Sequence, residues 1–380
     1  MNRRFVCLIL LACSVCGRAW ADAVPVQDEG VPPADKKASD VSAYQDDLTK
    51  RIKTEVDKLA KDQDVAGQTL ARQWLESESV LGNTPSSTSD NYMKLYSSIL
   101  NAEFLTLLSK PDTTVRAKVN VGIVATEVAD KVKNINLLPT VLQLLKDNSD
   151  AVVLWGLRAG GKILPQALKN GPDRGPLLDA IVQAALRHTS GEAGGYVVEE
   201  AYRDLSPELQ NLHPAGAALS DLVDSNLKLQ QGRLDLYRTG VPPAPRDDTF
   251  ASEFLLDPTY WPGLTDAQKL AAIQAAWNFI SLACEQARLA PQAKQSATTI
   301  SELMIAVRTV GQALEDLANR QLKDLNLTGA MHDIGVLGPG SRPTEIQQAL
   351  SQGFPPLQAA FKGLQPAPEV EPRESPVASQ

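Results

Sequence analysis

The stretch Leu137-Leu138-Pro139-Thr140-Val141-Leu142-Gln143-Leu144-Leu145-Lys146-Asp147-Asn148-Ser149-Asp150 decides how this chain is read. Its leucines and Val141 recur at helical spacing until Lys146–Asp150 interrupts them with polar residues. Val152, Trp155, Leu157, Ile163 and Leu164 then resume the period. A helix, a short polar turn able to cap its successor through Ser149 or Asp150, and a second helix make one αα unit. The turn and second helix also occur earlier, as Lys110-Pro111-Asp112-Thr113-Thr114 followed by an apolar run from Val115 to Val132. Setting Val115 on Val152 gives an offset of 37 residues, the length of one helical-repeat unit.

Within Lys110–Lys169, the run from Leu137-Leu138-Pro139 to Gly160-Gly161-Lys162-Ile163-Leu164 resembles a HEAT repeat. The resemblance implies an α-solenoid that binds partners, and it implies no reaction. Val119-Asn120-Val121-Gly122-Ile123 alternates with period two, as a strand would. Val124, Ala125, Val128 and Val132 carry on at helical spacing for longer than a strand needs, which selects helix. A loop over Lys169–Gly175 precedes a third, poorer unit, Leu177–Leu186 and Val197–Leu205, joined by the glycine-rich Thr189–Gly195. Ala217–Tyr237 reads as one more helix. Upstream, Leu48, Ile52, Val56 and Leu59 share a face, and Val65, Leu70, Trp74 and Leu75 belong to a second helix. Tyr92–Leu108 forms a third, strongly apolar one, capped by Ser89 or Asp90. Residues 41–239 are thus expected to form an irregular HEAT-like repeat domain.

Residues 240–263 hold Pro242, Pro243, Pro245, Pro258 and Pro262 and cannot form a continuous helix. They also hold Phe250, Phe254, Leu255, Leu256, Tyr260 and Trp261, which predicts a strap packed across the repeats. Beyond it, Leu270, Ile273, Trp277, Ile280, Cys284 and Ala287 alternate by three and four. Ile300, Leu303, Val307, Val310, Leu314 and Leu317 do the same. Two such a/d seams close together predict an antiparallel helical hairpin, its seams facing each other, the repeats or a second copy. Residues 264–362 comprise this hairpin, a glycine-rich loop over Gly329–Pro343 and a last helix. The tail, 363–380, has too few apolar groups to fold, and the proline-containing 22–40 reads as a flexible linker.

The first 21 residues carry a basic Asn2-Arg3-Arg4, an apolar Phe5–Val15 and a small-residue cleavage pattern, Ala19-Trp20-Ala21, as an export signal does. The apolar run is too short for a ~20-residue membrane span. An alternative lies within it: Leu10-Leu11-Ala12-Cys13 resembles a bacterial lipobox, which would lipidate Cys13 and anchor the protein. Cleavage after Ala21 leaves Cys284 as the one cysteine, so the mature chain holds no internal disulfide, as in a periplasmic protein. It also removes three arginines and no acids, taking the net charge from −8 to −11. A chain so acidic, without a long basic block, is not expected to bind nucleic acid or anionic membranes.

No catalytic constellation emerges from the pattern. His188, His213 and His332 stand in no metal-binding spacing, and there is no Cys pair for zinc. Cys284 lies on an apolar seam with nothing nearby to activate it. Glu199-Glu200 and Asp247-Asp248 read as solvated carboxylates, since adjacent acids on a helix diverge. His332-Asp333, in its glycine-rich loop, reads as solvated too. Trp155 and Trp277 fall at core positions. The expected fold is all-α: an irregular HEAT-like α-solenoid, a helical hairpin and flexible termini. The expected function is non-catalytic and cofactor-free, an exported scaffold or adaptor holding an envelope protein. Arg116, Lys118 and Arg158, read as exposed positions around the repeat turns, with Trp74 and Trp261 as anchors, are its candidate contacts. A self-associating envelope component and a helical enzyme acting on cell-wall glycan are the alternatives. A strict monomer counts against the first, and a cleft with two convergent carboxylates is needed for the second.

Overall fold

The structure, a computed structural model, describes residues 33–38, 40–61, 63–83, 85–188, 191–208, 210–239, 247, 254–289, 297–325 and 327–368. The expected leader, including Cys13, lies outside these, as do Asp248 and Phe250. The fold is all-α, with no strand among the described residues. In chain order the helices are α1 (Pro33–Lys36), α2 (Gln45–Leu59), α3 (Val65–Glu78), α4 (Asp90–Leu108), α5 (Val115–Val132), α6 (Leu138–Leu144) and α7 (Asp150–Ala167). They continue as α8 (Gly171–Arg187), α9 (Gly191–Leu205), α10 (Ala217–Arg238), α11 (Asp266–Leu289), α12 (Ala297–Gln321), α13 (Thr328–Gly335) and α14 (Pro343–Ala360). No helix among the described residues is long and apolar enough to cross a membrane.

Contacts sort the nine helices α2 to α10 into two rows. α2, α4, α6, α8 and α10 touch in that order, α3, α5, α7 and α9 do likewise, and each helix also packs on its chain neighbour in the other row. Such stacking arises because no αα pair can cover its own apolar stripe; the neighbours do so. Val121, Val124 and Val128 of α5 are all fully buried, each worth about 1.5–3 kcal/mol against exposure. Two glycines set the closest approaches. A Cβ at Gly122 would stand 2.6 Å from that of Trp155, and one at Gly156 would stand 3.0 Å from that of Leu144.

Caps fix where the helices start. Asp64 accepts from Gly67 N (2.8 Å), Ser89 from Tyr92 N (3.2 Å) and Thr114 from Ala117 N (3.2 Å). Ser149 is the N-cap residue of α7 but makes no side-chain cap bond; its own N–H donates instead to Asp147 Oδ1 at 2.8 Å. Helix also extends into two stretches read as loop. The glycines of 191–195 lie inside α9, and Pro172 sits in the first turn of α8, where its missing N–H costs nothing.

The linker and tail boundaries need correction. Residues 33–38 pack on the fold: buried Lys36 donates to Glu78 Oε2 (3.0 Å), and Tyr92 donates to Glu78 Oε1 (3.0 Å). At the other end, Leu364 is buried, and Gln365 N donates to Gln274 Oε1 at 2.7 Å. Both ends were read as flexible because isolated Lys36 and Leu364 give no periodic signal.

The remaining helices form a second body of contacts, α10 on α11, then α11 on α12, α12 on α13, α13 on α14 and α14 back on α11. Both predicted seams are spent here. Ile273, Trp277, Ile280 and Cys284 of α11 and Leu303, Val307, Val310, Leu314 and Leu317 of α12 are buried within the chain. The glycine-rich 329–343 is half helix: α13 lies against α12 so closely that a Cβ at Gly311 would meet Ile334 O at 2.9 Å. Of the strap, Phe254, Leu255, Leu256 and Trp261 are buried, and Asp247 is held by a buried bidentate pair with Arg233. The reading of Asp247 as solvated is thereby overturned. It is 3% exposed, and the Tyr237 hydroxyl also donates to it.

Candidate interaction surface

Two sets of side chains cross from repeat to repeat. The first runs along the turns. Lys118, near the start of α5, donates to Asp147 Oδ2 in the α6–α7 turn at 2.8 Å. From the far side His188, at the end of α8, brings Nδ1 to 2.5 Å from Asp150 Oδ1 and Nε2 to 3.1 Å from Asp147 O. Arg187 donates to Leu145 O at 2.6 Å. Each turn is thus fastened to the next by groups its own helix pair cannot satisfy. Lys118 is engaged in this column, whereas Arg116 is exposed beside it.

The second set lies across the row α5, α7, α9. Lys162 of α7 reaches Asp130 of α5 at 3.2 Å. Arg158, one turn before it, stacks over the Trp155 ring (4.6 Å to the centroid) and approaches Glu200 of α9 at 3.8 Å. Arg203 lies 3.5 Å from the same Glu200 carboxylate and 3.6 Å from Glu199. The result is a line of alternating charge across three helices, with a half-buried indole in it. The hydrogen bond from Lys133, and then Lys162, holds the Asp130 carboxyl below its usual range. Trp155 is therefore a surface-layer residue, not the core residue its period suggested. Its Cβ lies against Gly122, where any added side chain would clash.

Beneath this line lies Asp204, 1% exposed, one helical turn after Glu200. Burial first, and the Glu200 charge second, push its carboxyl well above the usual range, which favours the protonated form. Its Oδ2 has no hydrogen-bond partner, and Oδ1 only a 3.4 Å contact from Gln210 Nε2. A raised carboxyl beside a second carboxylate is the pairing an acid catalyst uses. Here the α7 backbone fills the space a substrate would need: a Cβ at Gly161 would come 2.2 Å from Asp204 Oδ1. The pair reads as buried architecture under the charged line. Sequence reasoning passed Asp204 over, since nothing in the chain marks it as buried rather than solvated.

The other expected positions separate. Trp74 is half-buried and lines a small depression with Lys50, Arg51 and Glu55 on α2. Trp261 is buried and meets Phe361 edge-on at 6.3 Å, so it is a core residue of the strap and no partner anchor. His332 sits on α13 with Nδ1 2.9 Å from Glu315 Oε1. Cys284 is buried, its thiol pushed up to about 12 by desolvation. Three or more His, Cys, Asp or Glu side chains gather nowhere among the described residues in a way that would hold a metal ion. A groove of about 850 Å³ runs along α10 between α8 and α11, and its charges are paired, Lys228 with Asp179 (3.1 Å) and Arg174 with Asp221 (2.5 Å). No family model, no curated protein and no solved structure matches this chain.

Proposed function

We propose that this protein is an exported, non-catalytic scaffold, a HEAT-like α-solenoid that holds another envelope protein against the face formed by α5, α7 and α9. One observation carries the reading: Trp155, Arg158, Lys162 and Arg203 come from successive helices of one row and line a single surface, the two arginines held by the buried Glu200 carboxylate. Half-buried aromatics with a guanidinium on the ring are the groups that dominate protein–protein contacts, because they bury area at little entropic cost. The mixed charge of the line would set orientation and on-rate more than affinity. Self-association would have to use some other surface, since the hydrophobic seams of α11 and α12 are already covered.

The test is site-specific photocrosslinking in the native host. A photoreactive residue at position 158, 155 or 203 is expected to give one adduct of defined mass, and one at 228, in the α10 groove, none. Equal labelling from all four positions, or none from any, would remove the proposal. Intact mass of the exported chain checks the compartment: a chain starting at Asp22 is expected, and a lipid adduct on Cys13 would replace free export by anchoring.

A further inference from the structure

The second body of helices contains a cavity that the surface proposed above does not use. It measures about 480 Å³ and lies between α11, α12 and α14, closed on one side by Pro339 and Pro343. Cys284 and Met304, both buried, form its floor, and half-buried Ile300, Ile346 and Leu350 form its walls. That volume falls within the ~300–1,000 Å³ of small-molecule sites, which are apolar inside with a few polar groups at one end. The polar groups of its lining are Ser281, Ser341, Gln347 and the pair Glu285–Arg288, of which Gln347 and Arg288 are exposed and mark the mouth.

The chemistry at the mouth narrows the ligand. Among the described residues that line it, Arg288 is the one cation, and its charge is balanced by Glu285, with Nε donating to Oε2 at 2.7 Å and Nη2 to Oε1 at 2.5 Å. A carboxylate or phosphate ligand would meet a guanidinium already neutralised by its carboxylate, and a cation would meet no unpaired acid among the described lining residues. The interior offers no strong polar partner, because burial keeps the Cys284 thiol protonated. We infer that this cavity binds one uncharged, apolar molecule, a hydrocarbon chain whose neutral polar end stays at Ser281, Ser341 and Gln347. A second protein copy fits the site less well: the walls converge from three helices of one chain into a pocket, and a flat partner surface would leave them uncovered.

The experiment uses the full mature chain and N-phenyl-1-naphthylamine, an uncharged fluorophore bright only in apolar surroundings. Saturable enhancement at one probe per chain is expected, displaced by 1-dodecanol and left in place by dodecanoate at equal concentration. Met304→Trp, which fills the cavity, and Leu350→Gln, which places an amide in its half-exposed wall, should each weaken binding at least tenfold. Circular dichroism controls for folding, and Leu350→Gln guards against a Met304→Trp that fails to fold. Bound dodecanol should also slow alkylation of Cys284 by N-ethylmaleimide at least tenfold. Absence of saturable binding, equal binding in folded variants, preference for dodecanoate, or Cys284 protection that follows protein concentration instead of dodecanol would each overturn the inference. The last of these would point to a second copy over the mouth.

Discussion

The two halves of this molecule solve the same packing problem with different chemistry. In the paired rows and the segments packed on them, polar pairs tie element to element, buried in Lys36 with Glu78 and Arg233 with Asp247, partly buried in Asn101 with Thr140 and Lys118 with Asp147. In the helices after the strap, the buried polar side chains among the described residues are Gln268 and Asn278, and contact is made by apolar seams and glycine. Apolar stripes on similar helices interdigitate in several registers, whereas a carboxylate must meet its partner in one. The rows hold many near-equivalent helices and need that selection. The second body has one hairpin and tolerates a looser fit, which leaves room for its cavity.

Removing one member of a buried pair breaks the comparison hardest. Arg233→Met strips Asp247 of its guanidinium while leaving the carboxylate 3% exposed, and a loss of about 3–5 kcal/mol is expected in urea unfolding. The double variant Arg233→Met, Asp247→Leu should recover most of it, because the penalty is the stranded charge and not the absent bond. A loss of the same size in the double variant would show that the pair is worth its own desolvation.

The second body should instead be sensitive to bulk. Gly311→Ala puts a Cβ 2.9 Å from Ile334 O and 3.0 Å from Gly335 N, backbone atoms that move only if α13 lifts off α12. About 1–3 kcal/mol is expected from such overpacking, read as a lower Tm. Gly353→Ala is the control, since its nearest obstruction is Ile334 Cδ1, the free end of a side chain, and it should cost much less.

Asp204 turns the polar strategy of the rows around, since it is buried without a full partner. Its folded pKa lies above the unfolded value, so folding takes up a proton. That contribution is whole below about pH 4 and drains away as pH rises through the folded pKa. Asp204→Asn has no such loss. The variant should match the wild type in acid and exceed it at neutral pH by ~1–2 kcal/mol, the order of one buried group's desolvation. Urea unfolding at a series of pH values reads the gap. A variant weaker at pH 7 would mean that the carboxylate is ionised and paired.

Helix class and most of the core were legible because period survives in the sequence: Leu48, Ile52, Val56 and Leu59 of α2 are all buried, as are both seams apart from the half-buried Leu270 and Ile300. What escaped notice was set by neighbours far along the chain. Trp155 has a core period, yet it lies half-buried where α5 and α7 close over Gly122. Lys36 and Asp247 sit in proline-containing segments, and only Glu78 and Arg233 across the fold make them interior. Charged pairs over such distances leave no local mark, so their members read as solvated. Arg158, expected at an exposed position around a repeat turn, lies in the middle of α7 and half-buried, and its stack on Trp155 has no mark in the sequence.

That stack gives the smallest stability effect and the sharpest test of the rows as a binding surface. Arg158→Ala removes a half-exposed ion pair to Glu200 at 3.8 Å and the contact on the indole. Exposed pairs and ring contacts of this kind contribute about 0.5–1 kcal/mol, so the Tm should barely move. The photocrosslink from position 203 should nevertheless fall at least tenfold, because a guanidinium held flat on its ring presents a rigid anchor that alanine cannot. Arg158→Lys separates charge from shape: it keeps the attraction to Glu200 and loses the planar stack. If Lys restores the crosslink, the surface works through its alternating charge; if it does not, the Trp155–Arg158 platform is the contact, and the partner must carry an apolar group to cover it.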